Sequence, residues 1–213
     1  MNVDLLIIDL DGTLVDSQHD IARAVNETLA VFEHEPLPLS TIAQYVGTGV
    51  RGLLDRLLVF GRGIESKIVI DAFRECYGAR LTQETVLYPG VLETLAHFAH
   101  KKKVVLTNKE DCFVAPILEG LGLAPHFVAH YGRDAFSERK PSGLPIKRIG
   151  EIHGVSPSKA LMIGDTPVDI MAGRAAGSYT CGLLFGYGSA KDLRSTNPDL
   201  LLSSWSELKD VIT

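Results

Sequence analysis

The chain has 213 residues, of which 46% are hydrophobic and 22% charged, and its formal net charge is −5. This length and balance are typical of a folded globular protein and exclude a disordered or fibrous chain. Lysine and arginine are scattered rather than clustered, so no basic stripe predicts nucleic-acid binding, and nucleic acid is excluded as an expected partner.

The cysteines and the first apolar run bear on the compartment. Cys76, Cys112 and Cys181 are odd in number and widely spaced, which predicts neither a disulfide framework nor a zinc site. The run at residues 5–8 is too short for a membrane span or a signal-peptide core. We therefore expect a cytoplasmic protein with no membrane partner, either a monomer or a homodimer.

Short apolar runs alternate with helical patterns along most of the chain. Continuous apolar runs are typical of parallel strands whose two faces are covered by helices, and they occur at residues 5–8, 104–106, 161–163, 180–185 and 200–202. Helices are predicted at residues 114–120, 144–153 and 168–176. This alternation predicts an α/β fold with an open, doubly wound parallel sheet.

Residues 15–87 have a different pattern, with helical periodicity and almost no strand-like run. We expect them to form a small all-helical cap domain inserted after the first strand. Residues 1–14 and 88–213 would then form the catalytic core, with hinges near residues 14–16 and 87–90. The cap would lie over the carboxyl ends of the strands, where ligands bind in open α/β sheets.

Two aspartates follow the first predicted strand, in the segment Asp9-Leu10-Asp11-Gly12-Thr13. Carboxylates this close to a buried strand repel each other and lose hydration, and a divalent cation such as Mg²⁺ would relieve both costs. Asp9 could then attack phosphorus as a nucleophile. Gly12 permits a sharp turn that lets Asp11 act as general acid and then as general base. The alternative is an ordinary strand end with a helix cap.

Phosphate-binding groups are predicted after the second strand and further along the chain. The hydroxyl of Thr107 and backbone amides near Asn108 could bind phosphoryl oxygens, although a plain polar turn is the alternative. Lys140, which precedes Pro141, offers compact positive charge to bind phosphate and to balance the attacking carboxylate. The alternative for Lys140 is a solvent-exposed lysine.

Two further aspartates lie where the third strand meets a helix. Asp165 could reach a metal ion, and Asp169 in the first helical turn could support it through hydrogen bonds. Capping of the helix is compatible with this role, because it uses other atoms. Since the carboxyl ends of parallel strands share one edge, we expect all four clusters to converge in one crevice.

These motifs, in this order, resemble those of the haloacid dehalogenase-like hydrolases, in the phosphatase branch with a helical cap, and the resemblance spans essentially the whole chain. It implies that Asp9 is the nucleophile and a magnesium ligand, and that Asp11 is the acid and base and also ligates the ion through its backbone carbonyl. It implies that Asp165 is a third ligand, with Asp169 in support. It also implies a phosphate-binding set, Thr107, Asn108 and Lys140.

The segments 106–109 and 46–49 are similar to the phosphoglycolate phosphatase-like branch of this family. The similarity implies a magnesium-dependent enzyme that hydrolyses a small phosphorylated metabolite, such as phosphoglycolate, through an aspartyl phosphate. It makes Gly47, Thr48 and Gly49 candidates for substrate contact in the cap. Arg51, just after them, could bind a substrate carboxylate through two hydrogen bonds. The two glycines could equally mark a turn between helices, and Arg51 could be an ordinary surface residue.

Three further functions stay open on the sequence alone. The first is a sugar-phosphate mutase: mutases of this type carry a histidine early in the cap, at the position that Ile21 occupies here, but His19 lies nearby. The second is an inorganic pyrophosphatase of the same family, and the third is a non-catalytic phosphate-binding regulatory module. A dehalogenase is disfavoured, because dehalogenases of the family lack the acid that Asp11 provides.

Overall fold

The computed structural model describes residues 1–43, 45–46, 52–54 and 65–213. Six strands form its central sheet, and with strands numbered in chain order they are β1 (Leu5–Ile8), β4 (Lys102–Leu106), β5 (Ala129–Tyr131), β6 (Ala160–Gly164), β7 (Tyr179–Leu183) and β8 (Leu200–Leu202). Their spatial order is β5-β4-β1-β6-β7-β8, and every neighbouring pair is parallel.

Strand β1 lies in the interior of the sheet and is buried along its whole length. It pairs with β4 on one side and with β6 on the other. Leu6 and Ile8 belong to one buried apolar cluster, whereas Leu5 and Ile7 belong to a second. Because alternate side chains of a strand point to opposite faces, the sheet is covered on both faces, as in a doubly wound α/β fold. The predicted fold class is confirmed.

The helices of the described residues are α1 (Gln18–Val31), α2 (Leu39–Ala43), α3 (Ser66–Gly78), α4 (Val91–His97), α5 (Asp111–Gly120), α6 (Leu144–His153), α7 (Pro167–Ala176), α8 (Ala190–Ser195) and α9 (Leu208–Val211). Short 3-10 turns at Ala124–His126 and Pro157–Lys159 precede β5 and β6. None of the helices in the described part of the chain is both long and apolar enough to cross a membrane.

The inserted segment begins and ends in a pair of antiparallel two-residue strands, β2 (Val15–Asp16) and β3 (Val86–Leu87). Between them lie α1, α2 and α3, and α1 packs against the other two. The strand pair was not predicted, because two residues are too few to produce a recognisable run. It lies at the two chain crossings where the hinges are expected. The division into core and cap stays a prediction.

Two other elements differ from the sequence-based expectation. Strand β5 was missed because its residues are only partly buried and His130 interrupts any apolar run, as is common at a sheet edge. Helix α5 begins at Asp111 rather than near Val114, because acidic residues favour the first turn of a helix even though they lack the apolar pattern. Neither difference moves a site residue away from its strand end.

Candidate active site

Asp9 lies one residue beyond the carboxyl end of β1. Its backbone N–H donates to the carbonyl oxygen of Ile163 in β6 at 2.9 Å, so the parallel ladder continues past the strand. The backbone N–H of Leu10 donates to Oδ1 of Asp9 at 2.8 Å. Asp9 is only 8% exposed. Its carboxylate is therefore held in one place by the rigid interior of the sheet.

The turn that follows Asp9 is built against Asp165. Gly12 has φ +80°, and a Cβ atom added to it would overlap the Asp165 carboxylate, so this position requires glycine. The hydroxyl of Thr13 donates to Oδ1 of Asp165 at 2.9 Å. From the far end of the chain, Nε1 of the buried Trp205 donates to the Thr13 carbonyl oxygen at 3.0 Å. The turn is thus fixed from both sides.

Three buried carboxylates, those of Asp9, Asp165 and Asp169, each place one oxygen within 4.8 Å of the others. Lys140 lies beside them, with Nζ 2.9 Å from Oδ1 of Asp9 and 2.6 Å from Oδ1 of Asp169. Its side chain is only 2% exposed, so the alternative of a solvent-exposed lysine is wrong. The structure brings together residues that lie as far apart in sequence as Asp9 and Asp169.

Burial perturbs the charges of this cluster. It raises the pKa of Asp9 to about 7, with Asp169 and Asp165 adding to the rise and Lys140 opposing it. Burial together with the neighbouring Asp169 raises the pKa of Asp165 to about 6. For Lys140 burial favours the neutral form, but Asp169 and Asp9 outweigh it and raise the pKa. One ammonium is therefore too little positive charge for three carboxylates.

This donor set fits a hard divalent cation. Magnesium prefers carboxylate oxygens, and a cation here would supply the missing positive charge. Both donors to Asp9 approach Oδ1. Asp169, in contrast, is engaged by Lys140 and by the N–H and hydroxyl of Thr166, in a capping box at the start of α7. Asp9 and Asp165 are therefore the better placed ligands, and Asp169 fits a supporting position.

Thr107 and Asn108 follow β4 at the same edge of the sheet. The N–H of Thr107 donates to the carbonyl oxygen of Tyr131 at 3.0 Å, which fixes its position beside the strand end. Asn108 donates from Nδ2 to the carbonyl oxygen of Lys140 at 3.1 Å. Its side chain thus ties the two predicted phosphate-binding segments together. This contact uses one of the two N–H groups of the amide, and the predicted contact of Asn108 with phosphate stays a prediction.

The carboxylate of Asp11 lies in a separate set of contacts. Nζ of Lys109 approaches its two oxygens at 2.8 and 2.9 Å, and the Ser17 hydroxyl donates to Oδ1 at 2.6 Å. Burial opposes the charge of Lys109, but Asp11 and Tyr77 outweigh it and raise the pKa of the lysine. The sequence places Lys109 directly after Thr107 and Asn108 but assigns it no role. The predicted ligation through the Asp11 carbonyl stays a prediction.

The loop after β7 was also missed. The backbone N–H groups of Tyr187 and Gly188 donate to Oδ2 of Asp165 at 2.7 and 3.2 Å. Gly186 and Gly188 pack so closely that a Cβ atom on either would overlap Asp165. The available signal was the pair of glycines around Tyr187, directly after a predicted strand, which is typical of a close backbone approach.

An open pocket lies between this strand edge and the inserted segment. Its described walls on the inserted side are Ile21, Tyr45, Val46, Leu53, Phe73 and Tyr77, and Phe113 of α5 adds a further apolar surface. The floor contains Asp9, Asp11, Thr107, Asn108 and Lys109. The predicted cap contacts Gly47, Thr48, Gly49 and Arg51 lie outside the described residues.

Comparisons with known proteins agree with the motifs. A family model for haloacid dehalogenase-like hydrolases matches residues 3–177. A phosphoglycolate phosphatase of Vibrio parahaemolyticus is 36% identical over 220 residues, covering 99% of this chain and 96% of the relative. A phosphoglycolate phosphatase of Aquifex aeolicus is 37% identical over 206 residues, covering 96% of this chain and 94% of the relative.

A solved structure gives the same answer for the fold. The crystal structure of a predicted phosphoglycolate phosphatase from Haemophilus somnus matches this chain with a TM-score of 0.93 and 27% identity, covering 99% of this chain and 98% of the other. Similarity over nearly the whole length of both chains means that the inserted segment and the sheet are shared together.

Proposed function

The chain belongs to the haloacid dehalogenase-like hydrolase family and is a phosphoric monoester hydrolase, and we propose that it acts on phosphoglycolate or a similarly small phosphorylated metabolite with the help of Mg²⁺. The observation that carries the proposal is the convergence of Asp9, Asp165, Asp169 and Lys140 at one edge of the sheet. The names of the relatives support the choice of substrate.

Asp9 is proposed as the nucleophile. Lys140 and the Leu10 amide both engage Oδ1, which leaves Oδ2 without a bonded donor among the described residues. An attack by Oδ2 on phosphorus would form an aspartyl phosphate and release the leaving oxygen. Attack of water on that phosphorus would then return the free Asp9 carboxylate and inorganic phosphate.

Asp11 is proposed as the group that moves the protons. Its protonated carboxyl would give a proton to the leaving oxygen in the first step and take one from water in the second. It follows Asp9 by two positions, directly before the turn at Gly12, and both side chains line the same pocket. Two different carboxyls therefore divide the nucleophilic and the acid–base work.

Positive charge and donors hold the phosphoryl group in this scheme. Lys140 would balance the charge that develops on the phosphoryl oxygens, and Thr107 and Asn108, with adjacent backbone amides, would bind them. Asp9 and Asp165 would hold Mg²⁺, with Asp169 in support, and the ion would supply charge stabilisation to the phosphoryl oxygens. Gly12, Gly186 and Gly188 pack tightly around Asp165 and would keep its carboxylate in one position for binding the ion.

We propose that residues 15–87 act as a cap that closes the pocket. The ion pair between Arg74 of α3 and Glu110 supports this, because it joins the proposed cap to the residue that precedes α5, with distances of 2.8 and 2.9 Å. Closure would exclude bulk water while the aspartyl phosphate exists. The β2–β3 pair marks the two crossings at which the cap would turn.

The environment of two cap residues favours a hydrolase over a sugar-phosphate mutase. Ile21 lines the pocket, where a mutase of this type would have its histidine. His19 is 58% exposed and lies 4.0 Å from Glu84, so it is not a substitute inside the pocket. An apolar side chain at this position cannot exchange a proton with a sugar hydroxyl.

The proposed compartment is the cytoplasm, and the thiols support it. Cys76, Cys112 and Cys181 are all free, and unpaired cysteines are common in reducing compartments.

The direct test is phosphate release from phosphoglycolate, with pyrophosphate as the competing substrate. We expect Mg²⁺-dependent release from phosphoglycolate, lost on chelation with EDTA, and a much lower rate with pyrophosphate. The Asp9→Asn variant should bind Mg²⁺ weakly and release no phosphate above background. A wild-type protein that binds phosphate but turns over no ester would instead indicate the non-catalytic regulatory module.

A further inference from the structure

Lys109 occupies a distinctive place in the pocket. It follows Thr107 and Asn108 on the loop after β4, and its side chain is only 7% exposed. Among the described residues that line the pocket it is the only basic one, and the walls opposite it are mostly apolar. A buried ammonium is costly unless it is paired, and Lys109 is paired with Asp11.

The pairing with Asp11 uses only part of what Lys109 offers. An ammonium has three N–H donors, and two of them are directed at the two oxygens of Asp11. Lys109 Nζ also lies 4.8 Å from the centroid of the Tyr77 ring. The third donor meets only Tyr77 among the described residues, and a ligand in the pocket would replace that weak contact.

Tyr77 adds a second available group. It is 2% exposed, and Lys109 lies beside it as a donor, so its phenolic O–H has no acceptor within the described residues. A buried polar group without a partner carries a free-energy penalty that a bound ligand would remove. Tyr77 and Lys109 line the same pocket, so both groups are available to one acceptor.

The acidic groups of the pocket wall do not oppose an anion at this point. Glu110 is neutralised by two hydrogen bonds from Arg74, at 2.8 and 2.9 Å. Asp11 contacts Lys109, and in the proposed first step it is protonated, so the positive charge of Lys109 is then available to an anion. The remaining carboxylate, Asp9, is paired with Lys140 and lies on the side of the pocket where phosphorus would be attacked.

The chemistry of the leaving group places it beside Lys109. The leaving oxygen must come within hydrogen-bond distance of Asp11 to receive its proton, and Lys109 contacts that same carboxyl group. The carbon attached to the leaving oxygen then lies next to the ammonium. With the leaving oxygen beside Asp11, a carboxylate one carbon further on would face Lys109 and Tyr77, which line the same pocket.

We infer that Lys109 and Tyr77 together recognise a carboxylate in the leaving group. The enzyme would then select phosphate esters of short 2-hydroxy acids over phosphate esters of uncharged alcohols of the same size. The inference rests on the proposed phosphatase function. It adds a specificity determinant in the core loop, separate from the cap residues that were predicted to contact substrate.

The test compares two esters that differ only in this group. Phosphoglycolate carries the carboxylate, and 2-hydroxyethyl phosphate replaces it with a neutral alcohol. For the wild type we expect kcat/KM to be at least about tenfold higher for phosphoglycolate. The analogue lacks the carboxylate, so the buried donors of Lys109 and Tyr77 would lose that acceptor. Lys109→Met should bring this ratio close to one, Lys109→Arg should retain most of it, and Tyr77→Phe should lower it partly.

The ratio separates recognition from a merely structural role. If Lys109 only positioned Asp11, Lys109→Met would slow both esters equally and leave the ratio unchanged, which would overturn the inference. A wild-type ratio near one would also overturn it while leaving the phosphatase function intact, whereas no release from either ester would contradict the function itself. Circular dichroism checks folding, and if Lys109→Met does not fold, the wild-type ratio and Tyr77→Phe decide.

Discussion

The phenolic oxygen of Tyr187 accepts a hydrogen bond from the backbone N–H of Ser17 at 2.7 Å, across 170 positions of sequence. The same hydroxyl donates to Oδ1 of Asp16 at 3.1 Å, and the backbone N–H of Tyr187 donates to Asp165 at 2.7 Å. Ser17 in turn donates to Asp11. One residue of the loop after β7 thus connects a proposed metal ligand, the start of the proposed cap and the proposed acid.

Replacing Tyr187 with phenylalanine tests this connection. Tyr187→Phe keeps the backbone donor to Asp165 but leaves the N–H of Ser17 without its acceptor. We expect kcat to fall by about tenfold, which corresponds to roughly 1.4 kcal/mol, while the Kd for Mg²⁺ changes little. Steady-state kinetics and calorimetric titration with Mg²⁺ measure the two quantities.

Tyr179 provides the matched control for that experiment, because it is 36% exposed and lies at the far end of β7. Tyr179→Phe should leave kcat unchanged. If Tyr187→Phe has wild-type kcat, the hydrogen bond between Tyr187 and Ser17 is not needed to position Asp11.

The raised pKa of Asp9 predicts how the metal-free protein responds to pH. Burial and the neighbouring carboxylates raise this pKa from 3.8 to about 7. Between these values the folded protein holds a proton that the unfolded chain releases. The free energy of unfolding of the metal-free protein should therefore fall as pH rises from about 4 to 7. Asp165, with its pKa raised to about 6, should act in the same direction.

Asp9→Asn removes this unfavourable charge. In EDTA at pH 8 we expect the variant to be more stable than the wild type by up to about 4 kcal/mol, because the pKa is raised from 3.8 to about 7 and each pKa unit corresponds to about 1.4 kcal/mol. The difference should vanish near pH 4, and saturating Mg²⁺ should stabilise the wild type more than the variant. Urea unfolding between pH 4 and 8 measures the difference in free energy of unfolding between the two proteins. Asp4→Asn, at an exposed position, is the control and should show no such difference. A variant less stable than the wild type at pH 8 would contradict the raised pKa.

Asp20 anchors the inserted segment and was absent from the sequence-based site. It is 1% exposed and accepts hydrogen bonds from the backbone N–H groups of Glu84 and Thr85 and from the Thr85 hydroxyl, and it also pairs with Arg23. Asp20→Ala would leave these buried donors unsatisfied, so we expect the free energy of unfolding to fall by about 3 kcal/mol. Urea denaturation measures this.

The control for Asp20 is Asp71, which is also paired with basic side chains but on the exposed surface of α3. Asp71→Ala should change stability little, because exposed ion pairs are screened by water and salt. If the two substitutions lowered the free energy of unfolding equally, the buried contacts of Asp20 would stabilise the fold no more than a surface ion pair does.

The sequence predicted those parts of the site that follow a strand. Asp9 and Thr107 come directly after continuous apolar runs and Asp165 comes one residue after a third such run, so their shared edge follows from parallel pairing alone. The contacts that were missed have no such local signal. Lys109 reaches Asp11 across 98 positions, and the phenol of Tyr187 reaches back to Ser17. Such contacts depend on how the loops pack against each other, which cannot be predicted from a local sequence pattern.

Alanine substitutions at Gly12 and Gly122 allow the effect of backbone strain to be distinguished from the effect of a clash with the site. Both have positive φ, +80° and +69°, so an alanine at either position is strained to a similar degree, by about 1 kcal/mol. Beyond that strain they differ, because a Cβ atom at Gly122 meets open space, whereas one at Gly12 overlaps the Asp165 carboxylate. We expect Gly122→Ala to retain wild-type kcat/KM with a small loss of stability.

Gly12→Ala should instead lower kcat/KM at least about a hundredfold and weaken Mg²⁺ binding, because Asp165 must move to relieve the overlap and small displacements of a positioned group are costly in rate. Kinetics at several Mg²⁺ concentrations, with urea unfolding of both variants, measure these effects. If Gly12→Ala matched Gly122→Ala in kcat/KM, then Asp165 could shift without consequence, and its proposed place as a magnesium ligand would be wrong.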